Sequence, residues 1–473
     1  MVNNHHIMNE TFQKEQNELL NYYTNTYLWP KTKKKYGYHI TREGLELIIR
    51  PECNQKCEYC YITQHGDKLY PKRLNKKETL HNVNLFLDYF YNTKKNYTRQ
   101  IQLFAGDLFY DDIFFDILNL FDKYFKIVKK EEPEIFEFPT VITVPSNLAF
   151  VYEKPEKAKK VLKFIKYFEE QYFTRIMFSW STDGLFCVDS REQKVLTQEY
   201  FDTIFLFCKE ARAAAHPMIA ASNIAYWKEN YDWWLEMYDK YNLSSGYNDF
   251  QPMMLEVRNN DWTEESIEHY KTFLSYLMKK RMDRFENDIY LLTEHLFKSG
   301  TMNYDPLALA INGEDILHEK LSCDLQSFIH INCTNLSLVL CHRLTYNLFT
   351  GGYFITDENN EKIISLKAHN VPGYLALRTT KNSQLPICFT CLYKDFCIKG
   401  CLGAQYEASG EILLPAENMC KLMKEKFKHL IKLYNDYGVL GCALQNNFLN
   451  NQQQDKIFRI LKEELREEIK YYE

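Results

Sequence analysis

The sequence predicts an α/β protein: an incomplete barrel of six parallel strands, then a cysteine-rich second domain and a helical tail. Three observations predict it. Short apolar, branched runs alternate with amphipathic helical stretches between residues 44 and 257, which calls for a parallel sheet with crossover helices. After residue 310 that alternation gives way to short strand-like runs, glycines and cysteines. The 473 residues are too many for one ordinary domain and suit one large and one smaller domain.

The elements follow in order. Residues 1–43 are an N-terminal extension, helical and then basic and irregular around 31–36. Leu45-Glu46-Leu47-Ile48-Ile49 reads as a buried strand. A helix is expected at about 76–94, where Leu80, Val83, Leu87 and Tyr91 recur on one face. Further strands are expected at 102–104, 141–144, 176–180, 218–224 and 253–257, separated by helices at 111–129, 155–171, 192–214 and 228–241. Six strands fall short of the eight of a full β/α barrel, which takes about 250 residues. Tyr231, Trp233 and Trp234 lie on the helix at 228–241 and read as core. Thr263 caps the next helix, with Glu264 and Glu265 in its first turn. A break near Gly300 closes the barrel region at 44–300, the second domain spans 310–425, and the tail is 426–473.

Composition narrows the function. Net charge is −5 with both signs interspersed, so a nucleic-acid partner is not expected. No apolar stretch is long enough to span a membrane, and the N-terminus lacks the apolar core of a secretory signal. A cytoplasmic location follows as the expectation. Fourteen cysteines in a reducing compartment point to metal or catalytic use rather than disulfides. The 35 Tyr and 32 Phe fit AT-rich codon usage and carry no function by themselves.

Cys187, Cys208 and Cys442 stand alone and read as small buried hydrophobes. The others cluster. Cys53, Cys57 and Cys60 have the spacing C-x3-C-x2-C directly after the first strand. Active residues of β/α barrels sit in such loops. Soft thiolates suit an iron–sulfur cluster, and three of them leave one iron of a four-iron cube open. Structural zinc wants four ligands, usually as two pairs, and no fourth Cys or His follows until His65. The second group is Cys388-x2-Cys391-x5-Cys397-x3-Cys401, then Cys420, with Cys323, Cys333 and Cys341 upstream. A zinc knuckle is the alternative there.

With aromatics on both sides of its third cysteine, the first motif resembles the signature of the radical S-adenosylmethionine (radical SAM) superfamily. The resemblance implies that the open iron binds S-adenosylmethionine, whose reductive cleavage yields a 5′-deoxyadenosyl radical. Ala105-Gly106-Asp107 stands where the family often has Gly-Gly-Glu, placing Asp107 near the methionine amino group. Pro145-Ser146-Asn147 resembles the family's Thr-Asn-Gly. Ser181-Thr182-Asp183-Gly184 with Arg191 resembles its Ser-x-Asp-Gly…Arg segment, which implies ribose contact by Ser181 and carboxylate contact by Arg191.

The second group resembles the SPASM domain of peptide maturases and sulfatase-activating enzymes, which holds two auxiliary four-iron clusters. By that likeness Cys388, Cys391, Cys397 and Cys420 bind one cluster, and Cys401 joins Cys323 and Cys341 at the other, with Cys333 a candidate fourth ligand. Leu336 departs from the family glycine five residues before Cys341. The implied function is radical modification of a ribosomally made peptide by thioether formation, C–C crosslinking or epimerisation. A flavodoxin- or ferredoxin-type electron donor is the implied partner. One alternative is a sulfatase-maturing enzyme, which would place an Asp where His342 follows Cys341. Another is a non-catalytic iron–sulfur electron-transfer scaffold.

Overall fold

The computed structural model describes residues 2–24, 37–41, 43–191, 196–243, 252–298, 305–308, 327–379, 386–394, 396–397 and 401–471. Cys323, the stretch 31–36, the break near Gly300 and residues 310–326 lie outside the described residues. Among the described residues the strands are β1 (His39–Ile40), β2 (Gly44–Ile48), β3 (Asn96–Tyr97), β4 (Gln100–Phe104), β5 (Thr140–Ser146), β6 (Thr174–Trp180), β7 (Ala214–Ala215), β8 (Met218–Ile219), β9 (Leu255–Glu256), β10 (Phe328–Asn332), β11 (Ser337–Val339), β12 (Gly352–Thr356) and β13 (Ile363–Ala368).

Nine strands form one sheet in the order β13-β12-β11-β10-β2-β4-β5-β6-β7. From β10 to β7 every neighbouring pair is parallel. Parallel neighbours need crossovers, supplied by the helices Lys76–Asp88, Ile113–Glu131, Pro155–Tyr172 and Gln198–Ala211. The first of these starts on a capping box in which Asn75 and Glu78 satisfy each other's backbone N–H. Thr263 caps the helix Glu264–Arg284, as the sequence predicts.

Two strands differ from the reading. The strands expected at 218–224 and 253–257 shrink to β8 and β9, which pair with each other outside the main sheet. The fifth crossover strand is instead β7, two alanines with no branched or aromatic residue to mark them. The strands expected after residue 310 also pair unexpectedly. β10 aligns with β2 in parallel from Phe328 beside Gly44 to Asn332 beside Ile48, so the cysteine-rich region extends the same sheet.

Leu336, in the turn between β10 and β11, has φ +52°. This is the left-handed backbone that glycine enters freely and a branched side chain resists. The backbone there takes a conformation that glycine adopts most readily, with a leucine in place. Tyr231, Trp233 and Trp234 are buried, as are Cys187, Cys208 and Cys442. Many of the abundant aromatics also fill the core; Tyr91, Tyr97, Phe125, Phe136 and Tyr172 pack edge-on and tilted against one another. Among the described residues no helix is long and apolar enough to cross a membrane.

Candidate functional site

The loop after β2 carries Cys53, Cys57 and Cys60, and three neighbouring strand ends grip it. After β4, the Asp107 N–H donates to the Glu52 carbonyl at 2.8 Å. After β5, Asn147 Nδ2 donates to Asn54 Oδ1 at 2.7 Å. After β6, Asp183 accepts from the Tyr59 hydroxyl at 2.6 Å, and Arg191 Nη1 lies 3.9 Å from Cys57 Sγ. The segments that the sequence singles out after strands two, three and four therefore meet at one loop. Burial pushes the Cys57 thiol up to about 11. Such a neutral thiol is a poor nucleophile and ionises when a cation takes it.

Asp183 is the hub of this grip. Its carboxylate accepts from Arg191 Nη2 at 2.9 Å, the Met218 N–H at 3.0 Å and Asn223 Nδ2 at 3.3 Å, besides Tyr59. Its carbonyl accepts from Asn230 Nδ2 and Trp234 Nε1. Arg191 is only 4% exposed and its guanidinium lies 5.5 Å from the Tyr59 ring centroid. Two buried polar atoms here lack a protein hydrogen-bond partner, Arg191 Nε and Thr182 Oγ1. Ser181 donates its N–H to the Ser146 carbonyl at 2.8 Å.

Asp107 is tied inward. Its carboxylate accepts from the Phe109 and Asn147 N–H groups and the Ser146 hydroxyl, at 2.8, 3.0 and 3.0 Å. Burial raises its pKa, and those three donors offset part of the rise. Ala105 and Gly106 before it both have positive φ, +72° and +58°. At Gly106 a Cβ would lie 2.1 Å from the Glu52 carbonyl oxygen, so only glycine lets the two loops touch. At Ala105 the left-handed backbone costs about 1–2 kcal/mol that glycine avoids. Ala105→Gly should therefore raise the denaturation midpoint, with a gain of about 1 kcal/mol after its greater unfolded-state entropy is counted. Unchanged or lower stability in urea titrations would show that the strain is not felt there.

In the second group, Cys388, Cys391, Cys397 and Cys420 line one cavity, together with Met419, Met423 and Gln405. Cys401 precedes the helix Leu402–Ser409, whose Glu407 accepts from Arg343 Nε at 2.9 Å. Arg343 is two residues past Cys341 and its charge reaches the Cys401 thiol, so this ion pair draws Cys341 and Cys401 to one neighbourhood. Cys333 is wholly buried in the core, with Sγ 3.9 Å from the Ile331 carbonyl, and burial pushes its thiol up. That setting resembles the isolated packing cysteines.

Some site residues escaped the sequence reading. Glu46, 3% exposed, faces His342 Nδ1 at 3.0 Å and His330 Nε2 at 3.9 Å. Burial pushes its carboxyl up, but the two imidazoles outweigh that and hold it below the usual carboxylate range. His342 also stacks on Phe104, with ring centroids 3.8 Å apart. A signal was present: a lone acid inside a buried apolar strand must find a partner. Asn54, Asn223 and Asn230 gave none.

No protein family matches the chain, and no curated protein does. Solved structures do. Native anSMEcpe with bound AdoMet matches at 13% identity and TM-score 0.51, over 83% of this chain and 99% of that chain. Native anSMEcpe with bound AdoMet and Cp18Cys peptide matches at 13% identity and TM-score 0.49, over 84% and 99%. Streptococcus suis SuiB bound to precursor peptide SuiA matches at 14% identity and TM-score 0.39, over 81% and 76%. The first of these shows a shared fold.

Proposed function

We propose that the chain is a radical SAM enzyme that modifies a ribosomally made peptide. One observation carries the reading: the Cys53–Cys60 loop is held by direct hydrogen bonds and contacts from Asp107, Asn147, Asp183 and Arg191, the residues set by the family likeness at three successive strand ends. The shared fold with AdoMet-bound anSMEcpe supports it.

Cys53, Cys57 and Cys60 would hold three irons of a [4Fe–4S] cluster. When bound, that cluster and S-adenosylmethionine supply a 5′-deoxyadenosyl radical that abstracts hydrogen. Among the described residues no three Cys, His, Asp or Glu side chains converge as one metal ion requires. A cube spreads its thiolates around its corners, whereas zinc draws them to a point. Arg191 places a buried cation beside Cys57, suited to a negatively charged cluster, and its Nε has a hydrogen still to donate. Asn147 ties the loop to the end of β5, Ser146 holds Asp107 there, and Ser181 would contact the ribose of a bound nucleoside.

Cys388, Cys391, Cys397 and Cys420 would hold an auxiliary cluster in their shared cavity, where Lys394 and Lys424 lie on the wall. Cys341 and Cys401, with Cys323, would hold the other. The barrel at 44–300 and the SPASM-type region at 310–425 would then be one catalytic unit, at home in a reducing cytoplasm. The SPASM likeness motivates the peptide substrate; a sulfatase-maturing activity is less favoured because His342, held by Glu46, occupies the place of that group's Asp.

Anaerobic reconstitution should give about twelve irons per chain, four for each cluster. The reduced protein should release 5′-deoxyadenosine from S-adenosylmethionine. Cys57→Ala should abolish release while keeping about eight irons. A fully reconstituted protein that releases none, with or without candidate peptides, would leave only the electron-transfer scaffold.

A further inference from the structure

The register of the main sheet lines up a row of side chains below the Cys53–Cys60 loop. Glu46, Gln102, Thr143 and Met177 are neighbours across β2, β4, β5 and β6, and residues paired in this way point to one face. The residues before and after them point to the other face and are buried, among them Leu103, Val144 and Phe178. Phe178 packs on Phe114 and Phe207 of two crossover helices. The row therefore lies on the face turned away from those helices. There Gln102 and Thr143 are half-buried and Met177 is 40% exposed.

Gln102 precedes Phe104, the end of β4, by two residues, about 7 Å of strand. One side of the row is closed. His342 stacks on Phe104 and holds the buried Glu46 carboxylate through Nδ1. Glu46 is the one charged residue of the four, and His342 and His330 already face it. Arg175, two residues before Met177, lines a groove together with Glu169 and Glu210.

Among the described residues neither the Gln102 carboxamide nor the Thr143 hydroxyl has a hydrogen-bond partner in the protein. Side by side on neighbouring strands, they offer both donors and acceptors. An apolar group laid over them would strip their water and return no hydrogen bond. A charged group would lose its own water and meet no free counter-charge in the row. A neutral group that both donates and accepts satisfies the pair. We propose that Gln102 and Thr143 are specificity residues that select a neutral hydrogen-bonding side chain of the peptide: Asn, Gln, Ser or Thr. The inference rests on the reading that the loop above them holds the SAM-binding cluster.

The test is affinity selection by the reconstituted full chain with S-adenosylmethionine. The probe is an equimolar mixture of blocked pentapeptides Ala-Ala-X-Ala-Ala, with X as Asn, Gln, Ser, Thr, Leu, Asp or Lys, and mass spectrometry reads the bound fraction. Peptides with neutral hydrogen-bonding X should be retained about tenfold above those with Leu, Asp or Lys. Gln102→Leu/Thr143→Val should erase that preference. Thr143→Val alone keeps the side-chain shape and should narrow it, whereas Thr143→Ser should keep it. Iron content and urea midpoints report whether each variant is folded. A parent chain that releases 5′-deoxyadenosine yet retains no peptide, prefers Leu, Asp or Lys, or shares its preference with folded Thr143→Val overturns this inference alone. A parent chain that releases none overturns the enzyme reading and this inference with it.

Discussion

Asp183→Ala should destabilise the protein by about 3–5 kcal/mol, the range for breaking one side of a buried ion pair. The size comes from what is left behind. Arg191 is 4% exposed and would keep its charge with no carboxylate to face. The Tyr59 hydroxyl, Asn223 Nδ2 and the Met218 N–H would each lose an acceptor. Tyr59 lies between Cys57 and Cys60, so the loss reaches the Cys53–Cys60 loop directly. Reconstituted Asp183→Ala protein should therefore hold fewer irons as well as unfold at lower urea. Removing both charges, as Asp183→Leu/Arg191→Met, should restore much of the stability. It should not restore 5′-deoxyadenosine release, because the cation beside Cys57 is gone. If Asp183→Ala lost under about 1 kcal/mol, the hub would be no more than a surface-type pair.

This hub shows where the sequence was legible and where it was not. Ser-Thr-Asp-Gly with a downstream Arg marked Asp183 and Arg191 as a pair worth placing at the site. It could not show that Asp183 faces Arg191, Tyr59 and β8, because those partners come from separate elements. Strand β2 was legible as an apolar run buried along its whole length, and β4, β5 and β6 as short runs of branched and aromatic residues whose buried positions alternate. β7 was not, since two alanines carry no periodicity. The addition of β10–β13 to the edge of β2 was not legible either, because a register match such as Ile331 beside Leu47 is a non-local fact. Ala105 and Leu336 teach the converse. Each is a non-glycine residue at positive φ, a backbone state that its side chain does not signal.

Lys426→Met should produce a loss of similar size and reverse part of the acid response. Lys426 and Glu256 are 6% and 4% exposed and form a buried ion pair, to which the Tyr270 hydroxyl also donates. Glu256 lies on β9, and Lys426 lies on the helix Glu417–Asp436 that carries Cys420. The pair therefore anchors the Cys420 helix to β9. Burial pushes the Glu256 carboxyl up, but Lys426 outweighs it and holds the pKa below the usual value. A depressed carboxylate contributes stability that is present above its unfolded pKa, near 4.3, and lost as pH falls through the lower folded value. In Lys426→Met the opposite cause remains alone. Burial without a cation raises the folded pKa above the unfolded one, so the variant should be about 3–5 kcal/mol weaker at pH 7. Its deficit relative to the parent should shrink as the pH is lowered and Glu256 takes up a proton. Glu256→Gln/Lys426→Met should show neither trend. Urea titrations from pH 7 down to about pH 4 measure all three, and a deficit in Lys426→Met that stays constant with pH would mean that Glu256 finds another cation.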